Sequence, residues 1–193
     1  MMLHEHINPR LRELENLLVS SKQEYYTLLK QEPRFEVEDY LLTNRQGNPI
    51  HLSELFGDKQ ELILVHNMGR HCPYCTLWAD GLNGLLPYLA QRAAFVVSTP
   101  DPWQEMDAFA SLHHWNFPMA STLGSTLKTD LGFQMDDGSY YPGVSTFQKT
   151  ADGRIIHVAR TFFGPGDDFC ALWPLFDLLA IENPDWVPVW PQG

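Results

Sequence analysis

The run ELILVHN, residues 61–67, is nearly continuously apolar, and that continuity restricts the architecture more than any other feature of the chain. A strand with one solvated face alternates apolar and polar residues; a strand buried on both faces does not. Helices must therefore cover both sides of the sheet. The chain supplies them: a helical segment from about Pro73 to Arg92, a strand in AAFVVST, and a helix over PWQEMDAFASLHHW. Strands joined through helices cannot pair as hairpins, so this β-α-β-α order makes them parallel, with right-handed crossovers. In PGVSTFQKTADGRIIHVARTFF, by contrast, two β-rich runs flank ADG, a hairpin signal. The expected class is α/β, a central mixed sheet flanked by helices.

Around this frame the reading assigns an N-terminal helical extension to residues 1–34, the main domain to 35–182, and a Pro- and Trp-containing tail to 183–193. Asn8 and Pro9 start an amphipathic helix carrying Leu11, Leu14, Leu18, Tyr25, Leu28 and Leu29, and Pro33 stops it. Its apolar stripe needs a surface, either its own sheet or a second copy of the chain as a homodimer. FEVEDYLLTNRQGNPIHLSELFG turns at RQGNP, as a hairpin or extended arm flanking the sheet. GPGDDF starts a last helix through CALWPLFDLLA, with Asp167 or Asp168 as its cap.

Composition removes whole classes of function. Thirteen basic residues against 24 acidic ones give a net charge of −11, a field that repels nucleic acid and anionic membrane surfaces. No apolar run approaches the roughly 18 residues of a spanning helix. The stretch MMLHEHINPRLRELEN lacks the apolar core of a secretory signal, so the cytoplasm is the expected location. Three cysteines, Cys72, Cys75 and Cys170, are too few for a disulfide framework.

Cys72 and Cys75 in HCPYC stand where the buried strand gives way to the helix. Pro73 follows at the first helical position, where a missing amide costs nothing, which makes Cys72 the helix cap. Free amides and the helix dipole stabilise a thiolate there, and Arg70 and His71 can add positive potential. The magnitude matters: a free thiol of pKa ~8.5 is a few per cent ionised at neutral pH, whereas a drop to ~6 leaves about nine-tenths as thiolate. Cys75, one turn on, is placed to resolve what Cys72 attacks. Tyr74 lies inside the pair and is read as substrate-facing, while Trp78 packs the sheet. The competing reading is half of a zinc or copper site, with a histidine such as His66 or His71 completing the shell.

The dipeptide in CPYC is the one found in glutaredoxins, and LVHNMGRHCPYC is laid out like the strand, loop and motif of thioredoxins. The longer frame resembles the thioredoxin-like branch that contains the AhpC/TSA peroxiredoxins. HCPYCTLWADGLNG, YPGVSTF and FFGPGDDFC together resemble a bacterial thioredoxin-like family whose function is largely uncharacterised. The resemblance implies a thioredoxin-like fold. Peroxiredoxins place a proline seven residues and a threonine three residues before the reactive cysteine, where this chain has Val65 and Gly69, which argues against peroxidase chemistry. Thioredoxins place a cis-proline opposite the disulfide; counting back from Gly153 puts Ser145 there, at an altered substrate-docking edge. Six residues before the reactive cysteine thioredoxins bury an acid; His66 occupies that position and becomes a candidate base for Cys75.

The remaining candidates read as structure. His113 and His114 cap the end of a helix, Asp167 and Asp168 sit in a first helical turn, and Cys170 is a core thiol. Gly81, Gly84 and Pro87 mark a bend rather than a phosphate loop. The leading expectation is a thiol-disulfide oxidoreductase that acts on a thiol or disulfide substrate without an organic cofactor, its electrons coming from glutathione or a thioredoxin system. A metal-binding module and a non-catalytic interaction protein are the alternatives.

Overall fold

A computed structural model describes residues 8–190. The first helix, α1 (Pro9–Leu29), starts as its sequence predicts: Asn8 is the cap, its Oδ1 accepting the Arg10 amide at 2.9 Å, and Pro9 opens the first turn. Three short strands follow, β1 (Phe35–Val37), β2 (Leu41–Asn44) and β3 (Pro49–His51). Next come β4 (Glu61–His66), α2 (Pro73–Arg92), β5 (Ala94–Thr99), α3 (Trp103–Leu112), β6 (Met119–Ser121) and α4 (Leu127–Asp130). The chain closes with β7 (Gly143–Lys149), β8 (Ile155–Phe162) and a short α5 (Leu172–Phe176).

The strands form one mixed sheet in the order β1-β8-β7-β4-β5-β6-β2-β3. β4, β5 and β6 are parallel, as the helical crossovers require, and β7 runs antiparallel to β4 and to its hairpin partner β8. The segment before β4 is divided between both edges: β2 and β3 extend the sheet beyond β6, while β1 pairs with β8 at the far side. Along β4 the side chains alternate between two cores. Val65 joins Cys72, Cys75, Trp78 and Phe117 on one face, and Leu62 and Leu64 join Phe133 and Phe147 on the other. Burial on both faces is what the continuous apolar run called for.

One expectation needs correction. The last helix does not run from Asp167: Pro174 has no amide to bond back to Cys170, and only Leu172–Phe176 is helical. Asp167 instead closes a turn, its carboxylate accepting the amides of Gly164, Phe169 and Cys170 at 3.0, 2.8 and 3.2 Å. Of the two surfaces expected for the apolar stripe of α1, the chain's own sheet does not cover Leu11, Leu14 and Leu18, which stay exposed, while Tyr26 and Leu29 are half-buried beside Val144 and Val158. Polar contacts hold the helix end, with Tyr25 Oη 3.1 Å from Thr161 Oγ1 and Lys22 Nζ 2.6 Å from Asp168. No helix among the described residues is long and apolar enough to cross a membrane.

Candidate active site

The site lies at the carboxyl end of β4, where the chain turns into α2. Asn67 prolongs the strand, its amide donating to the Ser98 carbonyl, and its Oδ1 accepts the Gly69 amide at 2.7 Å. Gly69 has φ +110°, and a Cβ there would meet Asp101 Oδ1 at 3.1 Å, so glycine suits both the backbone and the space. Asp101 accepts the Arg70 amide at 2.9 Å, and the Cys72 amide closes the turn on the Gly69 carbonyl. The loop thus delivers Cys72 to the N-cap of α2, with Pro73 at the first helical position.

Cys72 and Cys75 are free thiols, 8% and 4% exposed. Cys72 Sγ accepts the Cys75 amide at 3.0 Å, as a capping side chain does. Hydrogen bonding with the Cys75 thiol draws the Cys72 thiol below its ordinary range; burial opposes this, and the amides of Cys75 and Tyr74 reinforce it. Cys75 moves the other way. Its thiol is raised by the hydrogen bond to Cys72, by burial, and by the neighbouring negative charge, with only the Met68 amide at 3.4 Å and Lys128 pulling against them. One sulfur is readied as thiolate while its neighbour holds its proton.

The other expected residues fall differently. His66 lies on the Leu62/Leu64 face of β4, stacked 3.8 Å from Phe133, not on the face shared by the cysteines. Its Nε2 is 3.0 Å from Ser145 Oγ, and Nδ1 has no hydrogen-bond partner among the described residues. Burial, then the charges of Lys128, His157 and Arg160, hold its pKa well below the ordinary histidine range. It does not face Cys75 as a base would. Ser145 is buried inside β7, paired with Leu64 and within 3.4 Å of His157 Nε2, so it forms no docking edge. Counting back from the hairpin glycine placed it too far along the strand.

Arg70 turns its guanidinium to Glu105 at 2.6 Å instead of to Cys72. His71 is exposed and borders a cavity of about 540 Å³ beside the motif, together with Arg70, Pro73, Thr76, Trp186 and Trp190. Tyr74 is half-buried, and its hydroxyl donates to the Trp186 carbonyl at 3.1 Å, tying down the C-terminal tail. Trp78 is buried as expected, with its indole N–H 3.4 Å from Asp167. His113 is the C-cap of α3, as expected, and is buried: its Nδ1 is 3.2 Å from Asp80 and its ring centroid lies 4.0 Å from that of Trp190. Cys170 is buried in the cysteine-bearing core. Among the described residues no three His, Cys, Asp or Glu side chains converge to hold a metal ion, which leaves the zinc or copper reading without a third ligand.

Sequence reasoning missed Lys128 altogether. It is 1% exposed, and its Nζ donates to the Asn67 carbonyl at 2.9 Å, directly behind the loop that carries the motif. Burial pulls its pKa down to about 7 against the opposing influence of Cys75 and Asp101. Nothing in STLKTDLGF distinguishes this lysine from a solvated one, since its burial depends on where α4 docks.

A parallel β-α-β unit followed by an antiparallel hairpin, with Cys72 of a C-x-x-C pair capping α2, is a thioredoxin-like fold. The chain belongs to the family described as bacterial protein of unknown function (DUF899), which matches residues 15–182. Solved structures agree on the fold. Peroxidoxin BcpB from Mycobacterium tuberculosis is 24% identical, with 65% of this chain and 84% of that one covered, at a TM-score of 0.51. A mutant of PrxQ from Xylella fastidiosa is 19% identical, with 66% and 83% covered, at 0.53. Peroxiredoxin Q from Xanthomonas campestris is 20% identical, with 63% and 78% covered, at 0.50. No curated protein matches the chain.

Proposed function

We propose that the protein is a thiol-disulfide oxidoreductase that cycles Cys72 and Cys75 between dithiol and disulfide. The observation that carries this reading is the 3.0 Å bond from the Cys75 amide to Cys72 Sγ at a helix N-terminus, with the two thiols displaced in opposite directions. The Cys72 thiolate attacks a substrate disulfide and expels one thiolate; Cys75 then attacks the Cys72 sulfur and expels the second. The cycle needs no organic cofactor, only a thiol donor such as glutathione or a thioredoxin system, and as a reductant it suits the cytoplasm. Peroxide reduction is the weaker reading, because the peroxiredoxin proline and threonine positions hold Val65 and Gly69.

The test is the alkylation rate of reduced, metal-free protein against pH, with each cysteine read separately by peptide mass spectrometry. The expected midpoint for Cys72 lies well below that of a free thiol, with Cys75 reacting only at higher pH. A Cys72 midpoint at or above the free-thiol value would overturn the reading. Metal bound to the pair in protein purified without chelator would replace it with the metal-binding one.

A further inference from the structure

Lys128 is a costly residue that the capping geometry alone does not require. A fully buried ammonium loses its hydration, and a lone backbone carbonyl repays little of that loss. Lysines in such places are normally paired with a carboxylate, yet among the described residues no acidic oxygen lies within ion-pair distance of Nζ. Asp101, the acid whose charge reaches it, is already committed to the Arg70 amide and the Thr99 hydroxyl at 2.9 and 2.6 Å. The lysine is therefore not held as half of a salt bridge. What it is held against is the active-site loop: its ammonium bonds to Asn67, whose neighbour Met68 donates its amide to Cys75 Sγ.

From this placement we infer that Lys128 is a positioning residue for the second half of the thiol cycle, a buried amine that takes charge as Cys75 loses its proton. The inference rests on the C-x-x-C reading above and adds a role for a residue on another element. Once Cys72 is tied up in a mixed disulfide, Cys75 must become a thiolate inside the protein. As Cys75 gives up its proton, the Lys128 amine takes one up and carries the compensating positive charge. The Cys75 thiolate attacks the Cys72 sulfur, the Cys72–Cys75 bond forms, and the bond from Cys72 to the substrate sulfur breaks. The substrate leaves as a thiolate, and the proton held at Lys128 passes to solvent or to that thiolate. Two electrons pass from the dithiol to the substrate disulfide, and no other co-reactant is needed.

The groups that bear on Lys128 are few. Cys75 comes from α2 and Asp101 from the segment before α3; His66 faces it from β4, and Tyr140 presents its ring centroid 6.0 Å from Nζ. On its own element Asp130 is engaged by Tyr40 and Thr126. His66 is held neutral, so Cys75 is the one group close to the lysine whose charge changes during the cycle.

The experiment mixes reduced protein with an aromatic disulfide that liberates a coloured thiolate. The first release reports attack by Cys72, and the second reports resolution by Cys75; Cys75→Ser assigns the phases by abolishing the second. Lys128→Met is expected to slow the second release about tenfold at neutral pH and move its pH profile up by about one unit, leaving the first within about twofold. Lys128→Arg, which keeps the charge but cannot release a proton, is expected to retain a fast second release with a flatter profile near neutrality. If Lys128→Met loses the native circular dichroism, Lys128→Gln serves the same comparison. A second release with wild-type rate and profile in the neutral variant would overturn the assignment while leaving the redox reading intact. Absence of the first release in the wild type would instead sink the redox reading itself.

Discussion

Two basic side chains are buried close to one another near the carboxyl end of β4, and they differ in what surrounds them. Lys128 lies behind the motif loop, with a carbonyl to bond, an acid nearby and a thiol that can change charge. His66 is stacked on Phe133 and tied to Ser145, itself close to His157, with cationic groups, Lys128 among them, as its electrostatic neighbours. Burial disfavours the charged form of both residues. Only the lysine has a neighbour whose ionisation can repay its own, which separates a basic group that can take part in chemistry from one that is merely contained.

The comparison can be broken most forcefully through stability. Lys128 has a folded pKa of about 7 against an ordinary value of 10.5, so between these pH values the unfolded chain binds a proton that the native one does not. Stability should therefore rise as pH increases from 7 to 10, by on the order of 4 kcal/mol, and level off below 7 where the native lysine also takes the proton. Urea unfolding of protein with both reactive cysteines changed to serine, so that neither titrates, measures this slope. Lys128→Met should flatten it; an unchanged slope would mean that the native lysine is charged and solvated.

His66 acts at the other end of the pH scale. Its folded pKa is depressed, so as pH falls through the ordinary histidine value the unfolded chain takes up a proton and the native state does not. Wild-type stability should fall between pH 7 and 5, and His66 should contribute to that fall. His157, pulled down to about 4, adds its own share. His66→Gln keeps a partner for Ser145 but cannot titrate, and should reduce the difference in urea midpoint between the two pH values. It should leave Cys72 alkylation unchanged. A variant with a slowed second thiolate release would return His66 to the base role its sequence position suggests.

The strand-to-helix frame was legible because local rules determine it. Glu61–His66 and Pro73–Arg92 fall where the apolar run and the Cys-Pro cap place them, and the ADG turn joins β7 to β8. The side-chain partners were not legible, since they come from distant parts of the chain. Arg70 meets Glu105 instead of Cys72, and Asp167 receives the indole N–H groups of Trp78 and Trp173 at 3.4 and 3.3 Å instead of capping a helix. Ser145 could be placed only by counting from a hairpin whose β8 strand carries an irregularity opposite Thr146 and Phe147. Lys128 lay in a segment with no periodicity to announce its burial.

The smallest test concerns the rim of the cysteine face, where sequence and structure assign Tyr74 different work. Its position inside the motif suggests contact with substrate, whereas its hydroxyl donates to the Trp186 carbonyl. Tyr74→Phe removes that bond at a half-buried site and should cost about 1 kcal/mol locally. The tail should stay docked, because Trp186 packs against Trp173 and Phe176 and Trp190 packs against His113. Hydrogen exchange at the Trp186 amide, which bonds to Asn183, should quicken several-fold, or up to about fivefold for a loss of that size. Thiolate release from a small aromatic disulfide should be unaffected. If the exchange rate holds and thiolate release falls instead, Tyr74 is working on the substrate and the tail is only its neighbour.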